Sequence, residues 1–510
     1  MSLSPSAIIP RVLPRLRCVA EALLRRIRVW RDLSRLREAP LFDAAWYRET
    51  YPDIGDFDPA KHYLAFGAAE GRDPGPGFST SGYRLQGGGR GNPLLHYMRY
   101  GNQLGRDALP SFEGTRLGPG ENCRGTLLFA AHQVPVHPFG AELSFLNALD
   151  LAYEAGWRVE VVVPHILDDR YFVALLARAA HVHIVPYGWR RQDAVLHPVT
   201  AAAFCARLQH SRAQALHQNT AVVAAPLRAA RAAGVPTVLW LREIAGLDPA
   251  LCARMELEDA VLRSQLWAEA DGIIVNSAAT RDWIDPENLG GSRLQLVADQ
   301  ISEALLKLPF EPASPLRVGL VGSITQKKGL GDMVELANLW PQFRARDPRT
   351  AAAEVEFRLI GPTSSDLENL GSLPFGLRHC GPAASPLEAM AQIDLLLSLT
   401  KIPESFGRSV LEAMAAGRPV ITYDRGMPPV LLGGTGAVVE PDSPSAVAEA
   451  LVRLWFSAGG LQAASSATRK RAASLLRQQR PSPAIFTPPG SDGFAMSKKE
   501  LTHHITVTLG

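Results

Sequence analysis

The sequence predicts an α/β protein: two doubly wound, Rossmann-like domains with parallel sheets, behind a small helical repeat module. Three observations predict it. Thr126 to Val163 and Leu316 to Ile360 each read as an apolar strand, a loop, a helix and a second apolar strand. Ser398 to Tyr423, SLTKIPESFGRSVLEAMAAGRPVITY, follows the apolar run Ile393 to Leu399 and gives the same order again. Residues 41–110, by contrast, carry one short helix signature twice.

Length and composition bound the rest. The 510 residues leave room for two or three domains with cores of their own. At 46% hydrophobic and 20% charged, the composition is that of an ordinary soluble globular protein. A net charge of +3 points to no polyanionic partner such as nucleic acid. The five cysteines form no Cys-x-x-Cys pair, which argues against a zinc or disulfide framework and fits a reducing cytosol. No apolar run approaches the roughly 18 residues of a membrane span. Arginines interrupt every candidate core of a secretory signal.

Residues 1–40 are expected to hold a basic amphipathic helix. Leu16, Ala20, Leu23, Ile27 and Trp30 recur at helical spacing, and nine arginines stand against three acids between Arg11 and Glu38. Two readings stand: the helix lies on an anionic membrane surface, or it packs on a neighbour with its arginines solvated.

In residues 41–110, Phe42-Asp43-x-x-Trp46-Tyr47 is echoed by Phe78 and Tyr83. His62-Tyr63-x-x-x-Gly67-x-x-x-Gly71-Arg72 is echoed by His96-Tyr97-x-x-x-Gly101-x-x-x-Gly105-Arg106. Asp58-Pro59 and Asn92-Pro93 are each an N-cap with proline at the first helical position, and Gly67 and Gly101 are expected to end the helices. The cap explains Asp58 better than an Asp56-x-Asp58 metal motif does. His62 and His96, repeated beside tyrosines, read as packing residues.

After a linker from Pro110 to Arg124, residues 120–305 are expected to form the first doubly wound domain. Strands are predicted at Thr126 to Ala131, Val159 to Val163, His181 to Pro186, Thr237 to Leu241 and Gly272 to Asn276. Gly140 opens the helix after the first strand and lets backbone approach a ligand. His181 and His183 share one strand face, but without a third ligand nearby a structural role is favoured.

Residues 311–457 are expected to form the second domain, with strands at Leu316 to Gly322, Val355 to Ile360, Leu377 to Cys380, Ile393 to Leu399, Val420 to Tyr423 and Gly436 to Glu440. Beyond it, 458–510 read as a basic helix near Ala463 to Gln479 and a disordered tail from Pro481.

The chemistry is expected at strand-to-helix loops, where open α/β sheets bind ligands. Lys327 and Lys328 lie on the loop Gly322 to Gly329, where an ammonium beside helix N-terminal amides can neutralise a phosphate. Glu404 and Glu412 bracket the loop and first turns of the next unit, and carboxylates can accept hydrogen bonds from ribose or sugar hydroxyls.

PESFGRSVLEAMAAGRPVI closely resembles the donor-site signature of retaining family-4 glycosyltransferases, which have the GT-B fold of two facing Rossmann-like domains. Lys328-Gly329 and Gly140-Ala141-Glu142 resemble two further loops of that family, and the likeness spans about residues 125–457. The repeats of 41–110 resemble paired modules ahead of some bacterial polysaccharide-related glycosyltransferases.

The resemblance implies a nucleotide-sugar donor, a glycan or lipid-linked acceptor, and no metal or other cofactor. Lys328 would contact the donor pyrophosphate, Glu404 the transferred sugar, the Phe406-Gly407 backbone that sugar too, and Glu412 the ribose. There are departures. Ser323 stands where the family often has arginine, a loss that Lys327 partly offsets. Arg242-Glu243 replaces a histidine with an acidic neighbour, Asp299-Gln300 an Asn-Gly, and Pro429 a glutamate. The leading expectation is a cytoplasmic, metal-independent, retaining hexosyltransferase, peripheral on the membrane if residues 11–38 bind it. A non-catalytic nucleotide-sugar-binding scaffold and a nucleotide-sugar epimerase on the same fold are the alternatives.

Overall fold

The computed structural model describes residues 26–88, 91–132, 137–346, 350, 354–479 and 481–489. Leu16, Ala20 and Leu23 of the basic helix, residues 133–136 of the first loop and the tail from 490 lie outside these. Among the described residues the strands form two sheets, each the centre of a layered domain.

The first sheet contains β1 (Ser111–Glu113), β2 (Thr126–Ala130), β3 (Arg158–Val163), β4 (His181–Ile184), β5 (Ala213–Asn219), β6 (Thr237–Leu241), β7 (Gly272–Val275) and β8 (Leu294–Leu296). Their order is β1-β4-β3-β2-β5-β6-β7-β8, parallel except for β1, which runs antiparallel to β4. The second contains β9 (Leu316–Val321), β10 (Val355–Ile360), β11 (Leu377–Gly381), β12 (Leu395–Ser398), β13 (Val420–Tyr423) and β14 (Ala437–Val439). All are parallel, in the order β11-β10-β9-β12-β13-β14. Helices cover both faces, so strands such as Leu395 to Leu397 are buried throughout.

The order reverses between β2 and β5 in one sheet and between β9 and β12 in the other. Loops leaving adjacent strands at such a switch point diverge to opposite faces and leave a crevice. The two crevices face each other, with side-chain contacts across them described below.

Three strands escape sequence reading. β5, AQALHQN, lacks an apolar run, yet His217, Gln218 and Asn219 are all buried. Hydrogen bonds reach each of them: Trp240 Nε1 donates to His217 Nδ1 at 3.1 Å, Gln218 Nε2 donates to the Thr220 and Val223 carbonyls at 3.0 and 2.9 Å, and Arg242 Nε donates to Asn219 Oδ1 at 3.0 Å. His217 Nε2 has no partner among the described residues. Burial pulls the His217 pKa down to about 3, so the ring is neutral. β1 lies in the stretch read as linker, and β8 is a three-residue edge.

The C-terminal stretch also differs from expectation. The helix Gly460–Gln478 belongs to the second domain: Ala472, Leu475 and Leu476 join Val410, Leu411 and Met414 in one core. Residues 481–489, expected to be disordered, instead cross back to the first domain. Ile485 and Phe486 are buried in its core, and the Phe486 ring lies 5.8 Å from His217 and 5.9 Å from Trp240. Gln300 Nε2 donates to the Gln479 carbonyl at 3.1 Å, tying this crossing to the one near 300.

The repeat module has its own core of Leu36, Tyr47, Tyr63, Phe78, Tyr83 and Leu94. Asp58 and Asn92 cap as expected, accepting from Lys61 N at 2.8 Å and Leu95 N at 3.2 Å. His62 and His96 share hydrogen bonds with Tyr47 (3.0 Å) and Tyr83 (2.7 Å), one in each copy. Gly67 and Gly101 close the helical segments Tyr63–Gly67 and Tyr97–Gly101, as expected. Each sits against a tyrosine, Tyr47 and Tyr97, where a Cβ would collide. The left-handed residues are Gly71 and Gly105, four positions on. Residues 26–37 are helical, with Leu36 in the module core and Ile27 and Trp30 exposed.

Candidate functional site

The second domain supplies two loops at its switch point. The β9 loop carries Ser323, Lys327 and Lys328, and ends at Gly329. Gly329 has φ 91° and lies so close to the Leu399 carbonyl that no side chain fits, which locks the β9 loop against the β12 loop. Lys401 N donates to the Lys327 carbonyl at 2.8 Å, a second tie. Beneath it, Lys401 Nζ reaches both Asp332 oxygens at 2.6 Å and Asp442 at 2.9 Å. The β9 loop is therefore braced from behind.

The β12 loop carries Glu404, Ser405, Phe406 and Gly407. Met427 N donates to the Glu404 carbonyl at 3.1 Å, which fixes the Glu404 backbone. Phe406 is buried in one core cluster with Val410 and Leu431, so its side chain anchors the loop. Gly407, at φ 84°, caps the helix Arg408–Ala415. That helix carries Glu412, which is buried.

Folding brings the predicted groups together. Lys328 Nζ forms an ion pair with Glu404 Oε1, joining the two loops. Arg408 Nε donates to Glu412 Oε1 at 2.9 Å. Burial nonetheless holds the Glu412 carboxyl above its ordinary pKa, with Arg408 opposing the shift.

The first domain faces these groups with residues from many loops. Lys327 pairs across the cleft with Asp248, which also caps the helix Pro249–Met255. Arg242, at the end of β6, is buried and paired with Asp299; its Nε donates to Asn219 Oδ1 at 3.0 Å. Burial lowers the Arg242 pKa, and Asp299 opposes that. Ser405 Oγ donates to the Arg242 carbonyl at 2.6 Å, a direct bond between the domains. The Gly140 Cα faces the Arg408 side chain, whose Cδ lies 3.7 Å from where a Cβ would stand.

Deeper on the same side, His132 Nε2 and Glu142 Oε1 are 2.7 Å apart. Burial alone would lower the His132 pKa, but the Glu142 hydrogen bond and charge raise it above its ordinary value. For Glu142, burial raises and His132 lowers, with a net depression. Both shifts describe one buried ion pair. Glu243 lies close by, its pKa raised by burial although it accepts from Ala221 N at 2.5 Å.

Sequence reading missed Arg408, Asp248, His132 and Ser405 as site residues. Arg408 and Ser405 stand inside the quoted signature and were legible there. Asp248 carries only a cap signal. His181 and His183, considered as metal ligands, both contact Glu160, at 3.4 and 3.1 Å, but Arg158 Nη2 lies 3.2 Å from His181 and fills the position with a cation. Among the described residues no group of three or more His, Cys, Asp or Glu is placed to hold a metal ion.

Comparisons with known proteins bear on the fold and on the second domain. Solved structures match over about seven-tenths of the chain. The Anabaena HepE structure in complex with UDP-glucose superposes with a TM-score of 0.53 at 17% identity, covering 69% of this chain and 98% of that one. The chain has the GT-B fold. A Staphylococcus aureus TarM mutant, in complex with Fondaparinux, alpha-GlcNAc-glycerol and UDP, matches this GT-B pair at a TM-score of 0.53 and 11% identity, over 76% of this chain and 100% of that one. Residues 315–456, the second GT-B domain, match the family of group 1 glycosyl transferases. The D-inositol 3-phosphate glycosyltransferase of Nocardia farcinica is 28% identical over 244 residues, which is 42% of this chain and 53% of that protein. The chain thus spans about half the length of this curated relative.

Proposed function

We propose that the protein is a retaining glycosyltransferase that moves a hexose from a nucleotide-sugar donor to a glycan or lipid-linked acceptor without a metal ion. One observation carries this reading. Lys328 pairs with Glu404, and Glu412 lies on the helix that follows the Glu404 loop, all at the switch point of the second sheet and inside the stretch that matches group 1 glycosyl transferases.

Lys328 would neutralise the donor diphosphate and the charge that builds on it as the sugar leaves. Glu404 would accept hydrogen bonds from the transferred sugar, and Glu412 from the ribose. Gly140, Ser323 and the Phe406-Gly407 backbone would line the donor, with Lys327 and Arg242 contributing charge at the domain boundary. Catalysis would be electrostatic and positional. The repeat module fits a role in surface polysaccharide synthesis on the cytoplasmic face. Trp30, 72% exposed, and Ile27, 53% exposed, suit peripheral contact with an anionic membrane. No helix among the described residues is long and apolar enough to cross a membrane.

A second reading has its own observation. Lys327, Lys328, Arg242 and Arg408 are each paired with a carboxylate, as a donor-binding scaffold without turnover would tolerate. Turnover separates the two. The purified chain is incubated with UDP-glucose and other nucleotide sugars, with and without glycan and lipid-linked acceptors, and release of diphosphate is followed. Acceptor-dependent release that survives EDTA supports the transferase. Donor binding without release supports the scaffold, and activity lost to EDTA and restored by Mn²⁺ or Mg²⁺ overturns the metal-independent route.

A further inference from the structure

Arg408 is unlike the other cations of the cleft. Arg242 is almost fully buried against Asp299 and Asn219. Lys327 is bound to the helix-capping Asp248. Arg408 has one carboxylate, Glu412, on Nε, while its Nη1 is held by neutral oxygens only: Ser144 Oγ at 3.1 Å and the Gln300 carbonyl at 2.9 Å. The same carbonyl accepts from Asn147 Nδ2 at 2.5 Å, so Gln300 does not depend on Arg408. A guanidinium gains when neutral acceptors are exchanged for phosphate oxygens, because those hydrogen bonds become charge-assisted at both ends.

Its position suits that exchange. Arg408 opens the helix that follows the Glu404 loop, and its side chain lies against Gly140 across the cleft. Each phosphate of a nucleotide-sugar diphosphate carries a negative charge. On the β9 loop Ser323 brings no charge and Lys327 is held by Asp248, which leaves Lys328 to meet both. Arg408 and Lys328 also hold the two carboxylates needed for ribose and sugar. Those carboxylates are occupied until a competing anion draws the cations away.

Resting on the nucleotide-sugar reading above, we propose that Arg408 is a second diphosphate-binding residue and that donor enters by exchange of ion pairs. The diphosphate takes Arg408 and Lys328; Glu412 and Glu404, thus released, take the ribose and sugar hydroxyls. Arg408 leaves Ser144 and Gln300 in the same step, so donor binding also loosens one tie between the domains.

Calorimetric titration of the full chain with UDP, GDP, ADP and dTDP, and with the matching nucleosides, tests this. Arg408→Gln is expected to weaken the diphosphate by about tenfold to a hundredfold while leaving the nucleoside within about threefold of the parent or tighter, since Glu412 is freed. Arg408→Lys, which keeps the charge but not the fork, is expected to lose several-fold on the diphosphate alone. It also serves if the glutamine variant does not fold. Equal weakening of diphosphate and nucleoside would mean that Arg408 only supports the fold of the site, and unchanged diphosphate binding would mean that it meets no phosphate. Either result overturns the proposal and leaves the donor reading standing. If the parent binds none of the four diphosphates, the donor reading itself falls.

Discussion

The two walls of the cleft are built in opposite ways. On the second domain, Lys328, Glu404, Arg408 and Glu412 come from two loops and one helix, braced by Gly329 and by the Lys401–Asp332 pair. On the first domain, His132, Glu142, Ser144, Asn219, Arg242, Asp248 and Asp299 come from loops, helices and a strand end spread along the whole domain. The first arrangement is local in sequence, and on the reading proposed above it serves the donor. The second depends on the packing of many elements, and on the same reading it faces the acceptor.

If that contrast holds, the largest loss should come from the second domain. Lys328→Ala is expected to lower kcat/KM by about 10²–10³-fold, because one cation serves both the bound and the departing diphosphate. A loss below tenfold in steady-state assays would move the phosphate site elsewhere.

The two glutamates sharpen the comparison within that wall. Glu412→Gln is expected to weaken sugar-bearing donor and free diphosphate alike, by about tenfold to a hundredfold. Glu404→Gln should weaken the donor by a similar factor and leave the free diphosphate nearly unchanged. Equal losses on both ligands for Glu404→Gln would remove it from the sugar.

On the opposite wall, His132→Gln tests a structural ion pair through pH. The raised His132 pKa contributes stability that is fully present below its ordinary 6.5 and is lost as pH rises through the elevated value. The depressed Glu142 pKa contributes stability that is present above its ordinary 4.5 and is lost as pH falls through the lowered value. The Tm gap between parent and variant should therefore be widest between these limits and narrow on the alkaline side. A gap that stays constant with rising pH would show that His132 is neutral in the folded protein.

Smaller still is Asp248→Asn, which keeps the helix cap and removes only the charge facing Lys327. That lysine is 40% exposed, so kcat/KM should change by no more than about fivefold. Deleting residues 1–38 should leave donor affinity unchanged and release the protein from anionic vesicles, with attachment weakened by salt because surface charge is screened within about 10 Å at 0.1 M ionic strength. Equal vesicle binding by both forms in a flotation assay would rule out the anchor.

The sequence by itself determined the class of fold, the strand–loop–helix units around Lys328 and Glu404, and the two copies of the capped repeat. Each of these is written in a few neighbouring residues: an apolar run, a cap, a glycine turn. It did not determine β5, whose buried His217, Gln218 and Asn219 look like a surface segment until β6 and the neighbouring turns bring them hydrogen-bond partners. Nor did it reveal that residues 481–489 return to the first domain, because two apolar residues among prolines and serines make no periodic pattern. The ion pairs Lys327–Asp248 and Arg242–Asp299 were equally out of reach. Their partners lie far apart along the chain, and only the parallel sheets and the double crossing between domains set them face to face. Local chemistry is carried by adjacent side chains; which charges neutralise which is decided by topology, since a carboxylate answers to the nearest cation in space.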